Sequence, residues 1–363
     1  MKYKIDKSQG AAYLQIYKQL RADIIAGVYP YGSRLPSKRL LSEELGVSTV
    51  TVEHAYALLS DEGYVEPRER SGFFVVFLHA DGFAASAEVI RSCVSGVRVS
   101  HTNPDFPFSV LAKTMRRVLT DYGEAILEKP ANKGCIQLRE ALVLYLARNR
   151  GMNVDTEQII IGSGAEYLYG LIIALLGRSR VYGIEAPSYK KIQEVYSASE
   201  TVYELLPLAN DGIDSAALSK TKASVLHTTP YGSYPTGISA SASKLHECIR
   251  WSGKNGRIII EDDFESEFWV STKSKDTLFS LSDYDNVIYL NTFSKTVSPS
   301  LRIGYMVLPR SLVNQFENKL GFYSCTVPTF EQLVLAELIS GGDFERHINR
   351  VRRRKRRERE KNI

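Results

Sequence analysis

The sequence predicts an α/β protein built in two parts: a small helical module closed by a β-hairpin, then a larger domain with a mainly parallel sheet. Two observations carry that reading. In the first 76 residues, apolar side chains recur at helical spacing in three short blocks and then give way to two β-rich runs. Beyond residue 100, helical patterns alternate with short β-branched runs, the order that builds a parallel sheet with sites at its strand ends.

The first block places Tyr13, Tyr17, Leu20 and Ile24 on one helical face, and Gly27 stops it. Gly32 and Pro36 mark a loop before a second helix with Leu40, Leu41 and Leu45 as its apolar residues. Gly46 makes a sharp turn. Ser48 then caps a third helix whose inner face is Val52, Tyr56 and Leu59, and Gly63 ends it. Tyr64-Val65-Glu66 and Phe73-Phe74-Val75-Val76 follow as strands around the polar turn Glu69-Arg70-Ser71-Gly72. Helix, helix–turn–helix and hairpin together make a winged helix-turn-helix over residues 1–76.

In that fold the start of the recognition helix enters the major groove of double-stranded DNA, and the hydroxyls there are Ser48, Thr49 and Thr51. Small hydroxyls reach phosphates or base edges but specify little alone. Arg34, Lys38 and Arg39 are expected to add contacts from the preceding helix, and Arg68 and Arg70 from the wing. An isolated three-helix pattern also serves protein–protein contacts; the wing and the hydroxyl cluster favour DNA. Charge is silent here, since residues 1–76 hold ten basic and nine acidic residues.

Tyr13–Tyr17, Gly32–Leu41, Leu45-Gly46-Val47-Ser48 and Glu62-Gly63-Tyr64-Val65 resemble the GntR family of bacterial repressors. The resemblance implies DNA contacts by Arg39, Ser48, Thr51 and Gly72. Thr49 stands where the family commonly has arginine, which implies the loss of one bidentate guanine contact.

Residues 77–100 are expected to be a flexible linker, because Ala, Ser and Gly dominate and no period is sustained. The four cysteines, Cys93, Cys135, Cys248 and Cys325, are far apart, which argues against a zinc site or a disulfide framework and fits a reducing cytoplasm. No metal is expected. The longest apolar stretch, around Leu171–Leu176, is too short to span a bilayer. Of the net charge of +5, residues 350–361 supply +7 and the remainder −2.

In residues 101–363 the β-branched runs are Gln158–Ile161, Val181–Ile184, Ser224–His227, Ile258–Ile260 and Val287–Leu290. Gly162-Ser163-Gly164-Ala165-Glu166 follows the first and is expected to open an amphipathic helix whose amides can cradle a phosphate. Ile258–Ile260 ends in Glu261-Asp262-Asp263. Val287–Leu290 ends in Thr292-Phe293-Ser294-Lys295, with Arg302 seven residues on. Strands ending in a carboxylate and a lysine, with Thr and Arg nearby, supply what a pyridoxal 5'-phosphate site needs.

The segments from Gly134 to Ile348, among them Glu185–Tyr189, Tyr234-Pro235-Thr236-Gly237, Glu261–Phe264, Thr292–Lys295 and Arg302–Tyr305, resemble the type I aminotransferase fold. In this fold a three-layer α/β/α domain binds pyridoxal phosphate, and MocR-type regulators join it to a GntR module. The resemblance implies a Schiff base at Lys295, Asp262 beneath the pyridine nitrogen, and Tyr189 on the ring. Gly164, Ala165 and Glu166, with Thr292 and Arg302, would hold the phosphate. Phe264 replaces a family tyrosine that donates to the cofactor's phenolate oxygen, and Tyr234 could substitute for it. The family continues past the position of Ile363 into a small domain, so the aminotransferase-like part is expected to be truncated. The resemblance further implies a homodimer. The function expected is a regulator sensing an amino acid or amine effector through the cofactor. The alternatives are an active aminotransferase with a DNA-binding appendage, or a degenerate truncated regulator.

Asp343–Lys361 is expected to be a helix held by Phe344, Ile348 and Val351, with a solvated basic run beyond.

Overall fold

The computed structural model describes residues 3, 5, 10–69, 71–78, 106–254, 256–263, 266–268 and 276–361. Arg70, Phe264, Cys93 and nearly all of the 77–100 stretch lie outside the described residues. The chain divides into two compact units, Met1–Ser100 and His101–Ile363.

In the first unit, helices α1 (Ala12–Ile25), α2 (Lys38–Leu45) and α3 (Thr49–Asp61) precede a hairpin of β1 (Val65–Arg68) and β2 (Gly72–Val75). The Ser37 hydroxyl accepts from Leu40 N at 3.1 Å to cap α2, and Gly46, at φ 63°, turns the chain into α3. Ile16, Leu20, Leu41, Val52, Tyr56 and Leu59 are buried in one core with Val65 and Val75 of the wing. Two expectations change. Leu40 is 49% exposed, because α2 has only two turns and Leu41 takes the inward position. Arg34 lies on no helix: it forms a β-bridge to Phe74 and so belongs to the wing.

The second unit starts with α4 (Phe108–Tyr122) and α5 (Ile136–Arg150). Its strands are β3 (Ile159–Gly162), β4 (Tyr182–Ala186), β5 (Tyr203–Ala209), β6 (Gly212–Ile213), β7 (Val225–Thr228), β8 (Tyr231–Ser233), β9 (Ile238–Ser239), β10 (Ile258–Asp262), β11 (Val287–Thr292) and β12 (Gly304–Val307). Between them come α6 (Ala165–Leu176), α7 (Lys190–Ala198), α8 (Ser215–Lys220), α9 (Ala242–Ser252) and α10 (Leu278–Leu281). After them come α11 (Arg310–Leu320), α12 (Thr329–Ser340) and α13 (Asp343–Lys361). Eight strands form one sheet in the order β3-β12-β11-β10-β7-β4-β5-β6, with β8 and β9 apart as a small hairpin. The central five, β11 to β5, run parallel, while β12 is antiparallel to both neighbours.

Strand alternation divides the core. Ile160, Ile258, Ile260, Ile288, Leu290 and Met306 face the side covered by α6, α7 and α11. Ile159, Ile161, Tyr289, Tyr305 and Val307 face α5, α12 and α13. The helix expected to be amphipathic, α6, is instead buried around most of its circumference, because it packs against β3, β11 and β12 as well as α7 and α11. Phe344, Ile348 and Val351 of α13 are buried. Its basic run is not solvated from the start, since Arg352 Nε donates to the Glu267 carbonyl at 2.6 Å. Among the described residues, no helix is long and apolar enough to cross a membrane, and no cluster of three or more His, Cys, Asp or Glu could hold a metal.

Candidate functional site

Parallel strands put the groups at their carboxyl ends along one edge, and the loops there line a cleft. β10 ends in Asp262, which pairs with Leu290, so Thr292 lies two residues further along β11. The turn after β11 carries Ser294 and Lys295. β3 delivers the Gly162–Glu166 turn, and Arg302 precedes β12. The result is a cavity of about 360 Å³ lined by Asp262, Thr292, Lys295 and Arg302. Ala165, Glu166, Tyr189 and Tyr234 also line it. All the described residues assigned to the cofactor from sequence thus converge, save that Gly164 sits just behind the wall.

Asp262 is buried on the cavity floor. Its Oδ2 accepts from the Tyr169 hydroxyl, and the His227 Nε2 lies 3.5 Å away. His227 Nδ1 is in turn 3.0 Å from the Tyr196 hydroxyl. Asp262 Oδ1 has no hydrogen-bond partner among the described residues. A buried carboxylate oxygen without a donor is costly unless a ligand supplies one. Burial first, then the charge of Asp262 and the hydrogen bond to it, push the Tyr169 phenol well above its ordinary range, so it stays a donor.

At the other end of the cavity, Gly164 has φ 96°, and a Cβ there would come 3.1 Å from the Arg302 guanidinium. Arg302 itself adopts a left-handed backbone, φ 50°. Its NH2 donates to Glu166 Oε2 at 3.0 Å, while Lys191 Nζ donates to Glu166 Oε1 at 3.1 Å. Partial burial works to raise the Glu166 pKa, but its own amide, Lys191 and Arg302 outweigh it and hold the carboxyl below its ordinary range. Tyr189 is 41% exposed, with its ring centroid 6.0 Å from that of Tyr234 in an edge-on arrangement.

Sequence reasoning missed Tyr169, His227, Lys191 and Thr229. A tyrosine in the apolar run of α6 and a histidine in a buried strand both look like core. The signal available was register, because His227 pairs with Ile260, two residues before Asp262.

On the opposite sheet face Asp263 meets a different set. Its Oδ2 pairs with Arg150 at 3.0 Å and accepts from the Tyr289 hydroxyl at 2.7 Å, and its Oδ1 accepts from Ser266 N at 3.2 Å. Glu267 joins through Arg150 at 3.5 Å and Asn291 at 2.6 Å. Burial and the nearby Asp263 push Glu267 up to about 7 against the opposing pull of Arg150. Glu261 is likewise pushed up to about 7 by burial, although Tyr231 and the amides of Phe279 and Leu278 oppose it.

In the first unit, the Ser48 hydroxyl is occupied as the α3 cap, accepting from Thr51 N at 3.2 Å and lying 2.8 Å from Thr51 Oγ1. Thr49 is exposed beside it. Lys38 pairs with Glu53 at 2.5 Å, and Arg68 lies over the Phe74 ring at 4.5 Å. Gly72, at φ 108°, lets the Arg34 side chain pass within 3.1 Å of where a Cβ would stand. The Arg39 side chain is 87% exposed and makes one ion pair, to Glu43 at 3.2 Å.

Residues 12–75 match the gntR family of bacterial regulatory proteins, and residues 100–361 match aminotransferase class I and II. The chain is 31% identical over 352 residues to the HTH-type transcriptional regulator YdeL of Bacillus subtilis, covering 94% of this chain and 76% of that protein. It is 29% identical over 363 residues to the probable rhizopine catabolism regulatory protein MocR of Rhizobium meliloti, covering 93% and 74%. Among solved structures, the kynurenine aminotransferase of Pyrococcus horikoshii in complex with PMP matches with a TM-score of 0.63 and 26% identity. That match covers 69% of this chain, which spans 64% of the aminotransferase.

Proposed function

We propose, from the premise that this chain belongs to the MocR-type GntR regulators, a winged helix-turn-helix joined to an aminotransferase class I and II domain, that it senses pyridoxal 5'-phosphate or an amine bound through it. In this reading residues 1–76 read the operator, 77–100 connect, and 101–363 form the sensor. The regulator acts in the cytoplasm as a homodimer.

The observation that carries the reading is Asp262 Oδ1, a buried acceptor left open in a cavity that Lys295 also lines. A protonated pyridine nitrogen is the donor that suits it. The cofactor supplies an aldehyde that an amine can bond reversibly and a ring that withdraws electrons. Lys295 Nζ provides the amine. Asp262, oriented by Tyr169, would hold the ring nitrogen's proton. The amides after Gly164, the Thr292 hydroxyl and Arg302 receive the phosphate. Tyr189, edge-on to Tyr234 in the cavity wall, would cover the ring. An amino acid or amine that competes with Lys295 for the aldehyde would then be the effector.

Absorbance titration of the full chain with pyridoxal phosphate tests this. The wild type should develop a long-wavelength band that Lys295→Ala lacks. An identical spectrum from both proteins would remove the reading.

A further inference from the structure

Glu166 stands on the first turn of α6, beside the turn that the proposed function gives to the cofactor phosphate. Its two carboxylate oxygens take one cation each, Lys191 on Oε1 at 3.1 Å and Arg302 on Oε2 at 3.0 Å. Among the described residues, those are the two cations that line the cavity beside this turn, apart from Lys295. The Arg302 side chain is half exposed and passes 3.1 Å from where a Cβ on Gly164 would stand, so its ion pair with Glu166 sits at this turn. A phosphate dianion entering here must therefore displace the carboxylate or settle beside it. In the first case the two ion pairs to Glu166 are lost, and in the second the phosphate meets cations already half neutralised. With two cations and one carboxylate the seat keeps a net charge of only +1, so it holds a phosphate dianion less firmly than the two cations alone would.

We infer that Glu166 is a specificity-determining residue that weakens the hold on pyridoxal phosphate relative to unphosphorylated pyridoxal. The inference rests on the function proposed above. It gives the sensor a physical reason to release its ligand: a carboxylate built into the phosphate seat. A purely structural role for Glu166 would change the binding of both aldehydes alike, because they share the ring and the group that reaches Lys295.

The test is a paired titration of the full chain with pyridoxal phosphate and with pyridoxal, followed by absorbance, in wild type and Glu166→Gln. The amide keeps the shape and removes the charge. With the charge gone, the variant should bind pyridoxal phosphate at least about fivefold more tightly. Pyridoxal affinity should stay within about twofold, since no charge faces the missing phosphate. Lys191→Gln should move pyridoxal phosphate the other way and leave pyridoxal alone. Equal changes for both ligands, or no change for pyridoxal phosphate, overturns the inference while the proposed function stands. If neither aldehyde reaches Lys295 in any of the proteins, the proposed function falls and takes the inference with it.

Discussion

On the cleft side of the β10 end, Asp262 keeps one carboxylate oxygen without a hydrogen-bond partner among the described residues, whereas on the other side Asp263 is closed in by Arg150, Tyr289 and Ser266. The two are neighbours in sequence and similarly buried. Strand alternation alone sends them to opposite faces. Asp263 has all its partners within the chain and so serves the fold. Asp262 has a donor on one oxygen and none among the described residues on the other, and it lines the cavity. Burial does not separate the two carboxylates, and neither does an open oxygen alone, since Glu267 Oε2 on the closed face also lacks a partner among the described residues; what sets Asp262 apart is that it lines the cavity.

The largest effect that tests this contrast is on stability. Arg150→Met leaves Asp263 and Glu267 buried without their cation and should cost about 3–5 kcal/mol in denaturant unfolding of the full chain. Asp262→Asn should unfold near wild type yet lose most of its pyridoxal phosphate affinity. If both variants lose stability equally, the two faces do not differ in the way described.

Next in size is Tyr169→Phe. It strips the donor from Asp262 Oδ2, a loss of about 1.5–3 kcal/mol for a hydrogen bond to a charged group. Added pyridoxal phosphate should raise Tm less in this variant than in wild type, because Asp262 loses the hydroxyl that orients it. No destabilisation at all would mean that Tyr169 does not support Asp262.

A pH dependence follows on the closed side. Glu267 titrates at about 7 in the folded chain against an ordinary 4.5, so the folded state binds the extra proton between these values. Its stabilising contribution is fully present below about 4.5 and is lost as pH rises through about 7. Glu267→Gln should therefore gain in Tm relative to wild type as pH is raised from 5 to 8. A constant difference between the two across that range would contradict the assignment.

The smallest effect lies in the other unit, where Arg39, paired with Glu43, stays largely exposed while Lys38, paired with Glu53, is much less so. Arg39→Ala should lower the salt slope of operator binding by roughly 1, as expected for one lost phosphate contact. Lys38→Ala should change it less. The reverse order would place the DNA on the wing side of α2.

Much of this site was legible in the sequence, because apolar β-branched runs announce buried strands and the residues that end them fall at the sheet edge. Asp262, Thr292 and Lys295 were found that way, and Ser48 by its place between Gly46 and the periodic face of α3. The short antiparallel strand β12 was not, since four residues without alternation carry no period. Sequence pattern alone assigns Arg34 to the helix that follows, because loop and bridge positions leave no period. Tyr169 and His227 stayed hidden for a different reason. Their polar atoms act across strands and helices far apart in the chain, and only the fold brings α6 and β7 to Asp262. The Arg352 contact to the Glu267 carbonyl is of the same kind, concealed inside a run of identical charges.

The central claim is that Lys295 holds the ligand for which Asp262 keeps its oxygen open. Borohydride reduction of the full chain saturated with pyridoxal phosphate, followed by peptide mapping, tests it most directly. The account predicts a pyridoxyl group on Lys295, reduced in yield by Asp262→Asn and absent in Lys295→Ala. Label on another lysine, or none at saturation, would contradict it.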